Sequence, residues 1–265
     1  MRSLEAFRPE SRTSIRGVLF DIDDTLTTEG RLTAEAYVAM EALKRAGLIV
    51  LPITGRPAGW CDHIARMWPV DGVIGENGAF YFFMDHAQKK LSGRFVKSAA
   101  ERQTDREKLE SIATRILRDV PGCALASDQR YREADIAIDF CEDVPALPHS
   151  EISRIKAIME SEGLSAKISS IHVNGWFGGY DKLSTTKLFM RERFGQELDL
   201  HKTEFVFIGD SPNDEPMFAY FPHSVGVANV RAYLDMISAK PTYVTNAAYG
   251  AGFAELVHAL LRTRS

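Results

Sequence analysis

The chain predicts an α/β fold: a doubly wound parallel sheet carrying an inserted α+β module. Three observations predict it. The main apolar runs are short and continuous, as in strands buried on both faces. Helix-forming segments separate them in βαβα order. The middle, from about Met84 to Trp176, is more charged, and one stretch alternates polar and apolar, as a sheet with one wet face does.

The elements follow in order. Gly17-Val18-Leu19-Phe20 is a first strand and stops at Asp21. Thr33 caps a helix carrying Tyr37, Met40 and Leu43, closed by Gly47. Leu48–Ile53 is a second strand and stops at Thr54-Gly55-Arg56; Pro57 to Met67 carries a helix before Pro69. Gly72-Val73-Ile74 is read as a third strand of the same kind, stopping at Gly75-Glu76-Asn77-Gly78. In the insert, an amphipathic helix (about Asp105–Val120) precedes the alternating run Ala134–Phe140. A helix at about Ser150–Ser161 then leads to a strand at Ile168–Val173. The core resumes with a helix from Thr185 to Phe194, stopped by Gly195. Next come the strand Phe205–Ile208, ending at Gly209-Asp210, and a turn opened by Pro212. Short strands at Val225–Ala228 and Tyr243–Thr245 and a helix at Phe253–Leu261 complete it. The expected domains are a core of residues 1–84 and 177–265 and an inserted cap of residues 85–176.

The chain has 265 residues and is 45% hydrophobic, enough for a sizeable core. Lys plus Arg is 32 and Asp plus Glu is 36, a formal net charge of −4. That argues against a dedicated nucleic-acid binder. The three cysteines, Cys61, Cys123 and Cys141, are far apart, with no C-x-x-C, so a disulfide framework or thiolate zinc site is not expected. No apolar stretch approaches the ~20 residues of a membrane span, and Met1 to Gly17 lacks the apolar segment of a signal peptide. The expectation is a soluble, cytoplasmic protein, monomeric or homodimeric, with no membrane partner.

In open parallel sheets ligands bind beyond the carboxyl ends of the strands. Asp21, Thr54, Asn77 and Asp210 end the four apolar runs, and Asp23, Asp24 and Asp214 follow in the turns. Asp21, Asp23, Asp210 and Asp214 are therefore expected to form a carboxylate cluster. Two charges ~4 Å apart cost roughly 4 kcal/mol at an effective dielectric near 20, so such a cluster persists most easily around a hard divalent cation. Few carboxylates, small polar loops and room for water suit Mg²⁺ better than Ca²⁺. Single aspartates at strand ends also serve as helix caps, but capping explains neither Asp21 with Asp23 nor Asp210 with Asp214.

Asp21-Ile22-Asp23-Asp24-Thr25-Leu26, after Val18-Leu19-Phe20, resembles the first motif of the haloacid dehalogenase superfamily. Thr54-Gly55-Arg56 resembles its second motif and Gly209-Asp210-Ser211-Pro212-Asn213-Asp214 its fourth; Lys182 sits where the third-motif lysine is expected. The insert between second and third motifs is placed as in the type IIB, Cof-like branch. Gly75-Glu76-Asn77-Gly78 and Asn174-Gly175-Trp176 also resemble sugar-phosphate phosphatases and phosphomannomutases of that branch. The resemblance implies roles. Asp21 is the nucleophile that becomes an aspartyl-phosphate. Asp23 is the acid and then the base. Thr54 hydrogen-bonds a phosphoryl oxygen, and Lys182 supplies positive charge. Asp21, Asp23, Asp210 and Asp214 are the metal set for Mg²⁺. Thr54, Gly55, Arg56, Asn77 and Asn213 bind substrate.

Several side chains keep two readings. Arg56 pairs with a carboxylate or with substrate, and Asn77-Gly78 is a turn or a substrate contact. His172 faces substrate or is a core histidine; Arg130 and Arg132 form a solvated face or grip an anion. The expected hinges are near Met84–His86 and Trp176–Gly179, where Gly178-Gly179 suits a joint. The expected activity is Mg²⁺-dependent hydrolysis of a small phosphorylated metabolite, a sugar phosphate foremost. The rivals are a phosphomutase with the same intermediate and a binding protein on the same fold.

Overall fold

A computed structural model describes residues 1–264. In chain order its strands are β1 (Arg2–Ser3), β2 (Gly17–Phe20), β3 (Ile49–Pro52), β4 (Val73–Gly75), β5 (Phe80–Asp85), β6 (Lys90–Phe95), β7 (Ala124–Leu125), β8 (Asp135–Asp139), β9 (Ser165–Ile168), β10 (His172–Trp176), β11 (Phe205–Gly209), β12 (His223–Gly226) and β13 (Tyr243–Val244).

Six strands form one parallel sheet in the order β1-β13-β12-β11-β2-β3. β2 and β11 are neighbours, with Phe20 opposite Ile208, so Asp21 and Asp210 leave the sheet at adjacent carboxyl ends. Both faces are covered. Val18, Phe20 and Val50 pack with helices Ala34–Arg45 and Tyr249–Leu261. Leu19, Leu51 and Phe207 pack against helix Lys182–Phe194 and the Glu215–Tyr220 segment. Two-sided burial is why these strands read as continuous apolar runs.

The third apolar run departs from expectation. Ile74 touches the parallel sheet through a single bridge to Ile53. β4 then pairs antiparallel with β5, and β5 with β6, giving a separate three-stranded sheet. The expected boundary at 84–85 falls inside this sheet, at the end of β5.

A second sheet, β7-β8-β10-β9, is antiparallel, with helices Ala99–Asp119 and His149–Ser161 on one face. Its alternation sorts side chains by face. Ile136, Ile138 and Val173 join the apolar cluster under the helices, whereas Asp135, Asp139, His172 and Asn174 are buried outside it. This polar face lies over the carboxyl ends of the parallel sheet. Helix Ala99–Asp119 starts six residues before the expected Asp105 because Ser98 and Glu101 form a capping box. Among the described residues no helix is long and apolar enough to cross a membrane.

Candidate active site

The strand ends bring together three acids. Asp21, Asp210 and Asp214 are buried, and one carboxylate oxygen of each lies within 4.8 Å of the others. Lys182 joins them from the first turn of its helix, where Asp181 is the N-cap. Its ammonium is 2.6 Å from Asp21 Oδ1 and 2.7 Å from Asp214 Oδ1. Asp214 Oδ2 accepts from the backbone N–H of Asp210 at 3.0 Å. Thr25 Oγ1 donates to Asp210 Oδ1 at 3.2 Å.

Burial raises the pKa of Asp21 well above the carboxylate range; Lys182 opposes this, and Asp214 adds to it. Burial also raises Asp210, reinforced by Asp21 and Asp214. Burial lowers Lys182, but Asp21 and Asp214 outweigh it, and the net shift is upward. Fully ionised, three carboxylates and one ammonium would leave two negative charges out of water. Oxygen donors in that number, at that spacing and at one sheet edge, fit a hard divalent cation such as Mg²⁺.

Asp23 stands outside this cluster. Its Oδ1 is held by Arg56 Nε at 2.9 Å. The Arg56 guanidinium is buried and also meets Glu142 Oε1 at 2.7 Å and Asp128 Oδ2 at 3.4 Å, while stacking on Trp60. Of its two readings, the structure shows pairing with carboxylates, two of them from the insert. Burial raises the Glu142 carboxyl, but His172 and Arg56 override this and hold it down at about 2.

Thr54 is buried, and its hydroxyl accepts the Arg56 N–H at 2.9 Å, so its own hydrogen is left to donate. Asn77 N–H donates to the Thr54 carbonyl at 3.0 Å, tying the two loops together. Glu76 and Asn77 both have positive φ, +44° and +53°, conformations costly for non-glycine residues and concentrated at functional sites. Asn213 Nδ2 reaches Asn77 Oδ1 at 3.5 Å, and Asn77 Nδ2 is buried without a partner. Gly55 lies against Asn77 and Asn174; a Cβ there would come within 3.2 Å of Asn77 Nδ2.

Glu76, which the sequence reading takes only as part of the Gly75–Gly78 motif, and Asp135, which it gives no role, fasten the antiparallel sheet here. Glu76 Oε1 accepts from the N–H of Ala58 and Glu133, and its Oε2 from Ala134 and Asp135, at 2.6–3.2 Å. Burial nevertheless pushes its carboxyl up to about 8. Asp135 accepts from Arg132 Nη1 at 3.0 Å and Asn174 Nδ2 at 2.9 Å. Arg132, given as a solvated or anion-gripping residue, is neither: it is buried between Asp128 and Asp135 and donates to the Gly55 carbonyl. Arg130 is exposed and lies over Tyr131. Both glutamate and arginine act across 57 to 77 residues, beyond any local periodicity.

A cavity of about 10 Å³ remains between Asp21, Asp23, Arg56, His172, Asn174 and Asn213. That is room for about one water.

Comparison with known proteins agrees with this geometry. A sequence model of the haloacid dehalogenase-like hydrolases matches residues 18–114. The phosphoglycolate phosphatase of Thermoplasma acidophilum is 27% identical over 240 residues, covering 89% of this chain and 94% of that protein. That of Archaeoglobus fulgidus is 27% identical over 231 residues, covering 85% and 91%. A crystal structure from Thermoplasma acidophilum superposes with a TM-score of 0.69 at 21% identity, over 93% of this chain and 98% of that one. The sucrose-phosphatase of Synechocystis, in complex with sucrose and phosphate, gives 0.62 at 14% identity, over 93% and 98%. The matched segment is similar to the haloacid dehalogenase-like hydrolases, and the chain shares its fold with the two solved structures.

Proposed function

We propose that the chain is a Mg²⁺-dependent phosphatase of small phosphorylated metabolites, working through phosphoryl transfer to Asp21. The observation that carries this reading is the buried meeting of Asp21, Asp210, Asp214 and Lys182 at one sheet edge. The names of the relatives, phosphoglycolate phosphatase and sucrose-phosphatase, support the substrate class.

Asp21 attacks phosphorus, the ester P–O bond breaks, and Asp23 gives its proton to the leaving oxygen. Asp23 then takes a proton from water, which attacks the aspartyl-phosphate, frees Asp21 and releases phosphate. An acid–base group so placed contributes ~10²–10⁴ in rate. Lys182 holds Asp21 and meets the negative charge of the phosphoryl group; the Thr54 hydroxyl donates to a phosphoryl oxygen. Asp21, Asp210 and Asp214 would hold Mg²⁺, which supplies charge neutralisation at the phosphoryl oxygens when bound. Asp23 serves here as acid and base, its carboxylate being turned to Arg56. Residues 85–176 act as the cap, which must open to admit an ester, since the closed cavity takes no more than a water, and closes to exclude bulk water.

A phosphomutase needs a second anion grip in the cap. Arg132 is committed to Asp128 and Asp135, which favours hydrolysis. The free cysteines support a reducing, cytoplasmic setting. The test is Asp21→Asn with p-nitrophenyl phosphate and Mg²⁺. The variant should fold and release no phosphate; retained turnover, or a wild type inactive on a broad ester panel, overturns the reading.

A further inference from the structure

Above the small cavity the cap places a carboxylate of its own. Glu142 Oε1 accepts from Arg56 Nη2 at 2.7 Å, and its Oε2 lies 3.4 Å from Arg56 Nη1 and 2.9 Å from His172 Nε2. The loop is built for this. Asp139, buried at the end of β8, accepts from the N–H groups of Cys141, Glu142 and Asp143 at 2.8–2.9 Å and so fixes the turn that carries Glu142. His172 is 2% exposed, and its Nε2 makes no aligned hydrogen bond although Glu142 is close. Asn77 is also 2% exposed, and its buried Nδ2 is likewise without a partner. His172 lines the same cavity as Asp21 and Asp23. Two buried polar nitrogens without aligned partners thus lie around a site whose guanidinium is already filled by a cap carboxylate.

The charge count says what can take its place. Arg56 meets Asp23, Asp128 and Glu142. A fourth anion cannot be added to one guanidinium, so an anionic group on a substrate must replace one of the three. Glu142 is the replaceable one. Asp23 belongs to the proposed machinery, and Asp128 is buried and shared with Arg132, whereas the Glu142 side chain is 27% exposed on a loop. An uncharged hydroxyl does not displace it, because charge-assisted hydrogen bonds are roughly twice as strong as neutral ones. A planar carboxylate does, since it offers the same two oxygens to the same fork.

We propose that Glu142 is an internal stand-in for a substrate carboxylate, and that Arg56 and His172 are the specificity residues that grip it. The preferred substrate is then a short phosphorylated carboxylic acid rather than a neutral sugar phosphate. This inference rests on the phosphatase reading above.

The test compares matched esters under Mg²⁺: 2-phosphoglycolate against 2-hydroxyethyl phosphate, and 3-phosphoglycerate against glycerol 3-phosphate. The readout is the acid-to-neutral ratio of kcat/KM. Wild type should favour the acid at least about tenfold, the equivalent of one charge-assisted contact. Arg56→Lys and His172→Gln should each bring the ratio towards one. Glu142→Gln should raise it by lowering KM for the acids alone. A purely structural role, such as orienting Asp23, would slow both esters of a pair equally and leave the ratio intact. A wild-type ratio near one, or a ratio unchanged in all three variants, overturns the proposal while the phosphatase reading stands. Absence of Mg²⁺-dependent hydrolysis of every ester, p-nitrophenyl phosphate included, overturns both.

Discussion

Asp210→Asn should make the protein more stable and inactive at once. The Asp210 carboxylate faces Asp21 and Asp214 within 4.8 Å. At that spacing and an effective dielectric of about 20, each like-charge pair costs about 3.5 kcal/mol. Asp24 adds to this repulsion and Lys182, paired with Asp21 and Asp214, offsets only part of it, leaving a net repulsion on the order of a few kcal/mol on Asp210. Part of this is evaded by proton uptake, because burial, then Asp21 and Asp214, raise the Asp210 pKa. A group raised in the fold is least costly below its unfolded value of about 3.9 and loses stability as pH climbs through its folded value. Removing the charge should therefore stabilise the protein in EDTA by about 1–3 kcal/mol near pH 8, a rise in Tm of about 2–12 °C, with a smaller gain near pH 5. In wild type, Mg²⁺ at a hundred times its Kd should add about 2.7 kcal/mol; in the variant that increment should vanish. Differential scanning fluorimetry with and without Mg²⁺ reads both effects. A variant less stable than wild type in EDTA at pH 8, with its Mg²⁺ response intact, refutes the reasoning.

Lys182→Met removes the ammonium from between two buried acids. It should cost about 3–5 kcal/mol in EDTA, with Mg²⁺ restoring more of the loss than it adds to wild type; urea titrations check this. Gly78→Ala should be among the most damaging single changes. Gly78 has a φ of +110°, and a Cβ would lie 2.2 Å from the Asp181 carbonyl oxygen, one residue before Lys182. Soluble yield and Tm should both drop, and any folded fraction should be slow on p-nitrophenyl phosphate. The Glu142 contact should weaken in acid. Its carboxyl, held at about 2 by His172 and Arg56 against burial, stabilises the closed cap above about pH 4.5, and that contribution is lost as pH falls towards 2. Fluorescence of Trp60, stacked on Arg56, should report an acid transition that Glu142→Gln removes.

The core of the site was legible because its acids sit at the ends of strands that announce themselves. Phe20 and Ile208 close uninterrupted apolar runs, and their pairing in adjacent parallel strands carries Asp21 and Asp210 together as expected. Lys182 was legible by motif order, and its place at a helix start explains its reach. Asp23 is two residues beyond Asp21 but turns to Arg56, because a loop obeys no strand alternation. The run Gly72–Ile74 was legible as a strand and illegible as a hairpin, since a short apolar run looks alike in both. Glu142 was illegible, and Glu76 was legible as part of a motif but not in its role. Glu76 accepts from Glu133, 57 residues away, and Glu142 from Arg56, 86 residues away, and nothing in the composition around Glu142 distinguishes it from a solvated acid. Arg132 misled for the same reason: its carboxylates, Asp128 and Asp135, lie close in sequence, but its burial depends on the core loop at Gly55.

The most direct measurement is the fate of the phosphoryl group. Wild type is mixed with p-nitrophenyl phosphate and Mg²⁺, quenched in acid during turnover, digested and examined by mass spectrometry. The peptide containing Asp21 should gain the mass of one phosphoryl group, and the Asp21→Asn protein should neither gain it nor turn over. Phosphate release with an unmodified Asp21 peptide at every quench time, and undiminished release by Asp21→Asn, would contradict the account.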